Sequence, residues 1–351
     1  LRYWDADSAS GALPPPPPQE AEAAPPRNPL ARKPIVPSPG TSLKLVLILG
    51  AATVLASSTL FLRQAVSVQN LGESDLGHAD ARLGLLALRL AYPERISALK
   101  RDFDTGEWVI ELDGVWYCWA GGRILPLAER ADQALYRPFI ETNYPWKVID
   151  PEALDKATIE KLKRFPQEQK LRPPTHPGFA TALYGGSTEG QLWDRQRRIR
   201  FLGRWINAHA MIVGPLAEVE RDIMALAPSS PEIQAFLKQI DYIGAFNYRR
   251  IRGQTELSRH SYGVAVDILP KGRAARTTYW QWIMEEDPEW PIYPLEERWM
   301  PPDQVVRIFE EHGFIWGGKW LEYDTMHFEY RPEQLILRAW YRPWYLCGGH
   351  P

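Results

Sequence analysis

Ser258-Arg259-His260-Ser261-Tyr262-Gly263-Val264-Ala265-Val266-Asp267-Ile268 is read together with Asp324-Thr325-Met326-His327-Phe328-Glu329-Tyr330, in which His327 follows Asp267 by 60 residues. In the first stretch Val264, Val266 and Ile268 alternate with Ala265 and Asp267, the period of a strand with one apolar face. Asp267 therefore points away from that face. In the second stretch Met326, Phe328 and Tyr330 alternate with His327 and Glu329 in the same way. Two adjacent strands carrying these patterns bring Asp267 and His327 to one side of a sheet.

His260 lies seven residues before Asp267, across a Ser-Tyr-Gly turn in which Gly263 supplies conformational freedom. Folded back, it joins Asp267 and His327, and two imidazoles and a carboxylate converge. On zinc such a set fills three tetrahedral positions and leaves the fourth for water, the arrangement of a catalytic rather than a structural site. Asp324, three residues before His327, is placed to reach that water without being a ligand, and is the candidate general base.

The pattern Ser-x-His-x-x-Gly-x-Ala-x-Asp followed by Asp-x-x-His-Phe-Glu resembles the D-alanyl-D-alanine carboxypeptidase family of zinc peptidases, which includes VanY- and VanX-type enzymes and L-alanyl-D-glutamate endolysins. The resemblance runs from about Leu183 to Leu335. It implies zinc as cofactor, His260, Asp267 and His327 as its ligands, and Asp324 as acid/base, where many members carry Glu. It further implies Arg249 as the residue facing the substrate carbonyl as it becomes an oxyanion. Ser258 matches the family's serine before the first ligand, its hydroxyl either bonding substrate backbone or pinning the ligand loop. Glu329 either orients a ligand imidazole or is a surface carboxylate. Trp316 and Trp320 are candidates to line the cleft, with one of them expected in the core. The implied fold is α+β, helices packed on a small antiparallel sheet that carries the zinc (the LAS-type metallopeptidase fold).

The rest of the chain frames this unit. Its 351 residues have room for two globular units. Lys plus Arg is 41 against 43 Asp plus Glu, a net charge of −2, so nothing predicts electrostatic binding to nucleic acid. Cys118 and Cys347 are too few for a disulfide framework; they could pair in an oxidising compartment. Residues 1–42 hold eleven of the 32 prolines and read as a disordered tail. Leu45–Leu62 is an uncharged run of eighteen residues between Lys44 and Arg63, which predicts one transmembrane helix over 43–63, an uncleaved signal anchor. Arg27, Arg32, Lys33 and Lys44 precede it, whereas Arg63 and Arg82 follow. That bias predicts a single-pass protein of the cell membrane with a cytoplasmic N-terminus and an extracytoplasmic catalytic domain.

Residues 64–175 read as a separate region. A short helix ends before Pro93, a β-hairpin turns at Asp113-Gly114, and a further helix covers Pro151 to Phe165, with no visible chemistry. Residues 176–345 are the peptidase-like unit. Helices are expected at Leu192–Ala210, after Pro215, after Ser230-Pro231 (an N-cap and first-turn proline) and over Asp303 to His312. Arg250 and Arg252 read as surface residues on a strand. An aromatic-rich insertion between Lys271 and Pro302 leaves and re-enters beside the metal motif, as a wall or lid would.

Together these readings predict a membrane-anchored zinc peptidase acting on peptidoglycan stem peptides. Terminal D-Ala-D-Ala carboxypeptidase action comes first. L-Ala-D-Glu endopeptidase action, or a non-catalytic zinc-containing module that binds cell wall or protein, stand as alternatives.

Overall fold

The two metal-motif strands pair as their alternation implies. In the computed structural model, which describes residues 73–140, 144–252 and 254–346, Ala265–Pro270 and His327–Tyr330 lie antiparallel with His327 directly opposite Asp267. Phe314–Trp316 pairs along the far side of His327–Tyr330, and Ile240–Gly244 along the far side of Ala265–Pro270. The result is a four-stranded antiparallel sheet with the two motif strands at its centre.

One face of this sheet is apolar. Val266, Ile268 and Phe328 are fully buried there against Val305, Val306 and Phe309 of the helix Asp303–Glu311 and Leu216, Val219 and Ile223 of the helix Ala210–Leu226. Phe309 stacks on Phe328 with ring centroids 3.9 Å apart. Each such buried side chain contributes about 1.5–3 kcal/mol relative to exposure, so this layer fixes the register of the motif strands. Slipping either strand by one residue would exchange its apolar set for Asp267 or His327. Ser230 caps the helix Pro231–Gln239 by accepting from Ile233 N–H, as its Ser-Pro start predicts.

The second sheet is a meander, Ile96–Arg101, Trp108–Leu112, Val115–Ala120 and Arg123–Pro126, in sequence order. Its central hairpin turns at Asp113 (φ 51°) and Gly114 (φ 78°). The helix Glu73–Ala91 covers it. Leu85, Leu88, Ile96, Ile110 and Leu112 from this part and Phe179, Leu183, Ile212, Val266 and Phe328 from the other belong to one continuous core. The N-terminal region is thus packed on the peptidase-like unit through shared apolar side chains.

Two expectations need correction. Residues 192–210 are not a helix. After a short helix, Glu189–Trp193, they form the hairpin Gln196–Phe201 and Arg204–His209, turning at Leu202 and Gly203, both at positive φ. Read with period two, Ile199 and Phe201, then Ile206 and Ala208, trace its inner face, and Arg198 and Arg200 project from the other. The membrane reading is also corrected. Among the described residues no helix is long and apolar enough to cross a bilayer. The longest, Glu73–Ala91, has 19 residues but carries Asp80, Arg82 and Arg89, each costing roughly 2.5–3.5 kcal/mol at a bilayer centre. The expected transmembrane helix and the single-pass cell-membrane localisation are therefore not retained. Residues 1–72, with Leu45–Leu62 and the proline-rich tail, lie outside the described residues, as does Cys347; Cys118 is buried between Val109 and Leu125.

The insertion packs in a small apolar core. Trp280, Ile283, Trp290 and Tyr323 pack around Leu162 of the helix Lys156–Glu168. Backbone bonds from Thr325 N to Thr278 O (2.7 Å) and Trp280 N to Tyr323 O (3.1 Å) stitch it along the segment that bears Asp324.

Candidate metal centre

The first imidazole is placed by one turn of helix. Ser258 N-caps Arg259–Tyr262 and its hydroxyl accepts from His260 N–H at 3.3 Å. Of its two expected roles, this geometry is that of pinning the loop. Gly263 ends the turn in the left-handed conformation, φ 69°, and a Cβ there would lie 2.0 Å from Gln196 Oε1. The positive φ and the crowding Gln196 side chain both favour glycine, and the chain enters the strand Ala265–Pro270 two residues later.

His260 Nε2 lies 3.1 Å from Asp267 Oδ1 and 3.2 Å from His327 Nδ1, and His327 Nδ1 lies 2.9 Å from Asp267 Oδ1. All three residues are buried. The remaining ring nitrogens have other partners. His260 Nδ1 donates to Ala245 O at 2.6 Å, and His327 Nε2 to Glu329 Oε2 at 3.2 Å. With those nitrogens protonated, Nε2 of His260, Nδ1 of His327 and the Asp267 carboxylate turn three lone pairs toward one point. Such a set repels itself unless a cation lies among them.

In the metal-free chain a proton on His327 takes the cation's place. Burial alone would raise Asp267, but the two imidazoles overcome it and hold the carboxylate below its usual range. Burial opposes charge on His327, yet hydrogen bonds with Asp267 and Glu329 raise it to about 10. The separations also fit zinc. Donors about 2.0–2.1 Å from a tetrahedral zinc stand roughly 3.3–3.4 Å from each other, close to the observed spacings. His260, Asp267 and His327 would hold the ion, with Ala245 and Glu329 orienting the rings.

Asp324 is held beside the cluster by backbone. Its N–H donates to Gly317 O at 3.0 Å and its carbonyl accepts from His327 N–H at 3.2 Å. A Cβ on Gly317 would lie 2.5 Å from Asp324 O, so this approach requires glycine. Although the residue is partly exposed, Asp324 Oδ1 is buried without a hydrogen-bond partner. Burial, with Asp267 nearby, raises the carboxyl against the opposing charges of His327 and Arg249.

Arg249 is anchored through its backbone. Its N–H donates to Ser261 Oγ at 2.8 Å, and Ser261 Oγ donates to Arg249 O at 2.5 Å. Its charge acts on both Asp324 and Tyr279. Arg250 and Arg252 are exposed. Trp320 lies 5.6 Å from the His327 ring, centroid to centroid. Trp316 is the core member of the pair, fully buried, with its indole N–H on Thr325 O at 2.8 Å.

Two residues that the sequence reading passes over also belong here. Tyr279 forms an isolated bridge with Asp324, and burial followed by Asp324 pushes its phenol up. Nothing in its local sequence marks it. Arg331 extends the alternation of His327 and Glu329 by one more step, and it donates to Glu329 Oε1 at 3.3 Å. Carrying the period-two reading past Tyr330 would have found it.

Residues 252–330 match a family model described as D-alanyl-D-alanine carboxypeptidase. That segment contains His260, Asp267, Asp324 and His327, and the match supports a metallopeptidase without singling out one kind of member. A second model, for a domain of unknown function, matches residues 84–141. No curated protein and no solved structure matches the chain.

Proposed function

We propose that this chain is a zinc peptidase of peptidoglycan stem peptides, acting as a D-alanyl-D-alanine carboxypeptidase. The observation that carries the reading is the convergence of His260 Nε2, Asp267 Oδ1 and His327 Nδ1 within 3.2 Å of one another beside a buried, unpartnered Asp324 oxygen. The substrate class rests on the family match over residues 252–330.

Zinc bound by these residues supplies Lewis acidity to the scissile carbonyl and lowers the pKa of adjacent water toward ~7. Asp324 takes the proton of the attacking water as its oxygen bonds to the carbonyl carbon. The same carboxyl then gives that proton to the amine as the C–N bond breaks. A carboxyl raised by burial suits both steps, since its affinity for the proton is close to what each transfer needs. Arg249 offers a fixed positive charge to the carbonyl oxygen as it becomes negative, where such charge has the largest effect. Trp320, 5.6 Å from the His327 ring, and Tyr279, bridged to Asp324, stand beside the reacting groups. No covalent intermediate with the chain is involved.

The test is mass spectrometry of purified stem peptides incubated with the zinc-loaded chain, with and without chelator, for wild type and Asp324→Asn. Loss of one terminal alanine, abolished by chelator and reduced at least 10³-fold by Asp324→Asn with zinc content unchanged, is expected; general acid/base roles are typically worth ~10²–10⁴. Chelator-sensitive cutting after L-Ala would move the bond to the endopeptidase position. No cutting by a folded, zinc-loaded chain would overturn the enzyme reading.

A further inference from the structure

A series of five buried side chains connects the metal cluster to the N-terminal part of the molecule. His327 Nε2 donates to Glu329 Oε2 at 3.2 Å, and Arg331 donates to Glu329 Oε1 at 3.3 Å. The same guanidinium donates through Nε to Glu333 Oε1 at 2.5 Å. Glu333 Oε2 accepts from the Tyr92 hydroxyl at 2.9 Å. Every member is at most 8% exposed.

Tyr92 follows the helix Glu73–Ala91, within the segment that matches the domain of unknown function. Three more contacts come from that segment. Phe139 O accepts from Arg331 at 3.0 Å, and the Phe139 ring lies under both Arg331 (5.0 Å) and Arg259, the neighbour of His260 (4.8 Å).

Ionised groups this deeply buried are costly. A purely structural contact is commonly met as well, or better, by apolar side chains of similar volume. A complete hydrogen-bonded series instead fixes the orientation of each member. Here the last member is a ring whose other nitrogen, Nδ1, faces Asp267 and His260. The opposite end keeps its proton, because burial and then Glu333 push the Tyr92 phenol far up, so its hydroxyl remains a donor.

We propose that the 84–141 segment is the outer support of the metal centre, and that Tyr92 is a positioning residue acting on His327 through Glu333, Arg331 and Glu329. The inference rests on the zinc reading above. Residue partners one step outside a metal's ligands typically change affinity by ~10–100-fold when removed, and Tyr92, three links further out, acts more weakly.

The experiment compares the full chain with Tyr92→Phe and Tyr117→Phe. The latter removes a hydroxyl of the same segment that bonds to Gly178 O, away from the series. Zinc dissociation constants are measured by competition with a chelator, and visible spectra are recorded after loading with Co²⁺. Tyr92→Phe is expected to weaken zinc about three- to tenfold and to shift the Co²⁺ bands, with Tyr117→Phe matching wild type in both. Should Tyr92→Phe not fold, Glu333→Gln breaks the series one link nearer the metal, and the same changes are expected. Wild-type affinity and spectrum in the folded Tyr92→Phe variant would overturn the inference while leaving the zinc reading intact. A wild-type chain that binds neither ion would overturn both.

Discussion

The two four-stranded antiparallel sheets are built alike and filled differently. In the N-terminal meander the buried strand positions are Ile96, Val109, Ile110, Leu112, Tyr117, Cys118, Ile124 and Leu125, mostly hydrocarbon on either face. In the sheet of the metal motif one face is equally apolar, but the other buries Asp267, His327 and Glu329 in register. Strand period and burial are therefore common property, and function resides in which groups occupy the second buried face. A buried charged set is tolerated where its members satisfy one another and a cation. The meander has no such set on its strands, and among the described residues it meets the polar series beside His327 at its margins, through Tyr92 and Phe139.

The contrast breaks most sharply at Asp267. Apparent zinc binding by four-ligand sites amounts to roughly 10–16 kcal/mol, so one ligand accounts for about 3–4, or on the order of 10²–10³ in affinity. Asp267→Asn keeps the shape and removes the charge, and should lower zinc affinity by that factor and abolish turnover. Cys118→Ala at the matching depth of the meander should leave zinc affinity unchanged. Titration of both variants against a competing chelator checks this. Equal affinities would mean that the polar face is not what holds the ion.

Much of this was legible in the sequence. Val264, Val266 and Ile268, then Met326, Phe328 and Tyr330, set two strands by alternation, which put Asp267 and His327 on the same side; their direct pairing came from the structure. Gly263 flagged the turn that carries His260, and the resemblance pointed to Ser258. The Asp113-Gly114 hairpin and the Ser230 cap were equally local. What was not legible depended on distance. Residues 192–210 carry apolar positions compatible with either period, and only pairing across Leu202-Gly203 selects strands. Tyr279 is tied to Asp324 by a bridge between segments 45 residues apart in sequence. Tyr92 reaches Glu333 across 241 residues. The membrane helix was read from the uncharged run Leu45–Leu62 and its flanking charges, which lie outside the described residues, and among the described residues no helix is long and apolar enough to cross a bilayer.

A smaller effect follows from protonation in the metal-free chain. His327 is raised to about 10 when folded and has an ordinary value near ~6.5 when unfolded. The stabilisation it brings is fully present below pH ~6.5 and is lost as pH rises through about 10. Urea unfolding in the presence of chelator should show wild type exceeding His327→Gln by a margin that shrinks steadily from pH 6.5 to 10. Zinc takes the place of that proton, so the loaded wild type should lose far less over the same range. A margin that grows with pH would contradict the buried carboxylate environment of His327. The meander offers no strand imidazole and no counterpart of this effect.

The smallest expected change asks whether the two sheets are one thermodynamic object. Ile110, fully buried in the meander, belongs to the same continuous core as Val266 and Phe328 beneath the metal motif. Ile110→Val removes one methylene, a cost of about 0.5–1.5 kcal/mol. In a shared core that loss should appear in the global opening energy of both sheets. Hydrogen exchange read by mass spectrometry should therefore show the slowest amides of 108–120 and of 265–270 and 327–330 losing protection by the same factor. Were only the 108–120 amides to lose protection, the meander would open on its own. Its hold on His327 through Tyr92 would then be intermittent, and zinc affinity should fall in proportion to the open fraction.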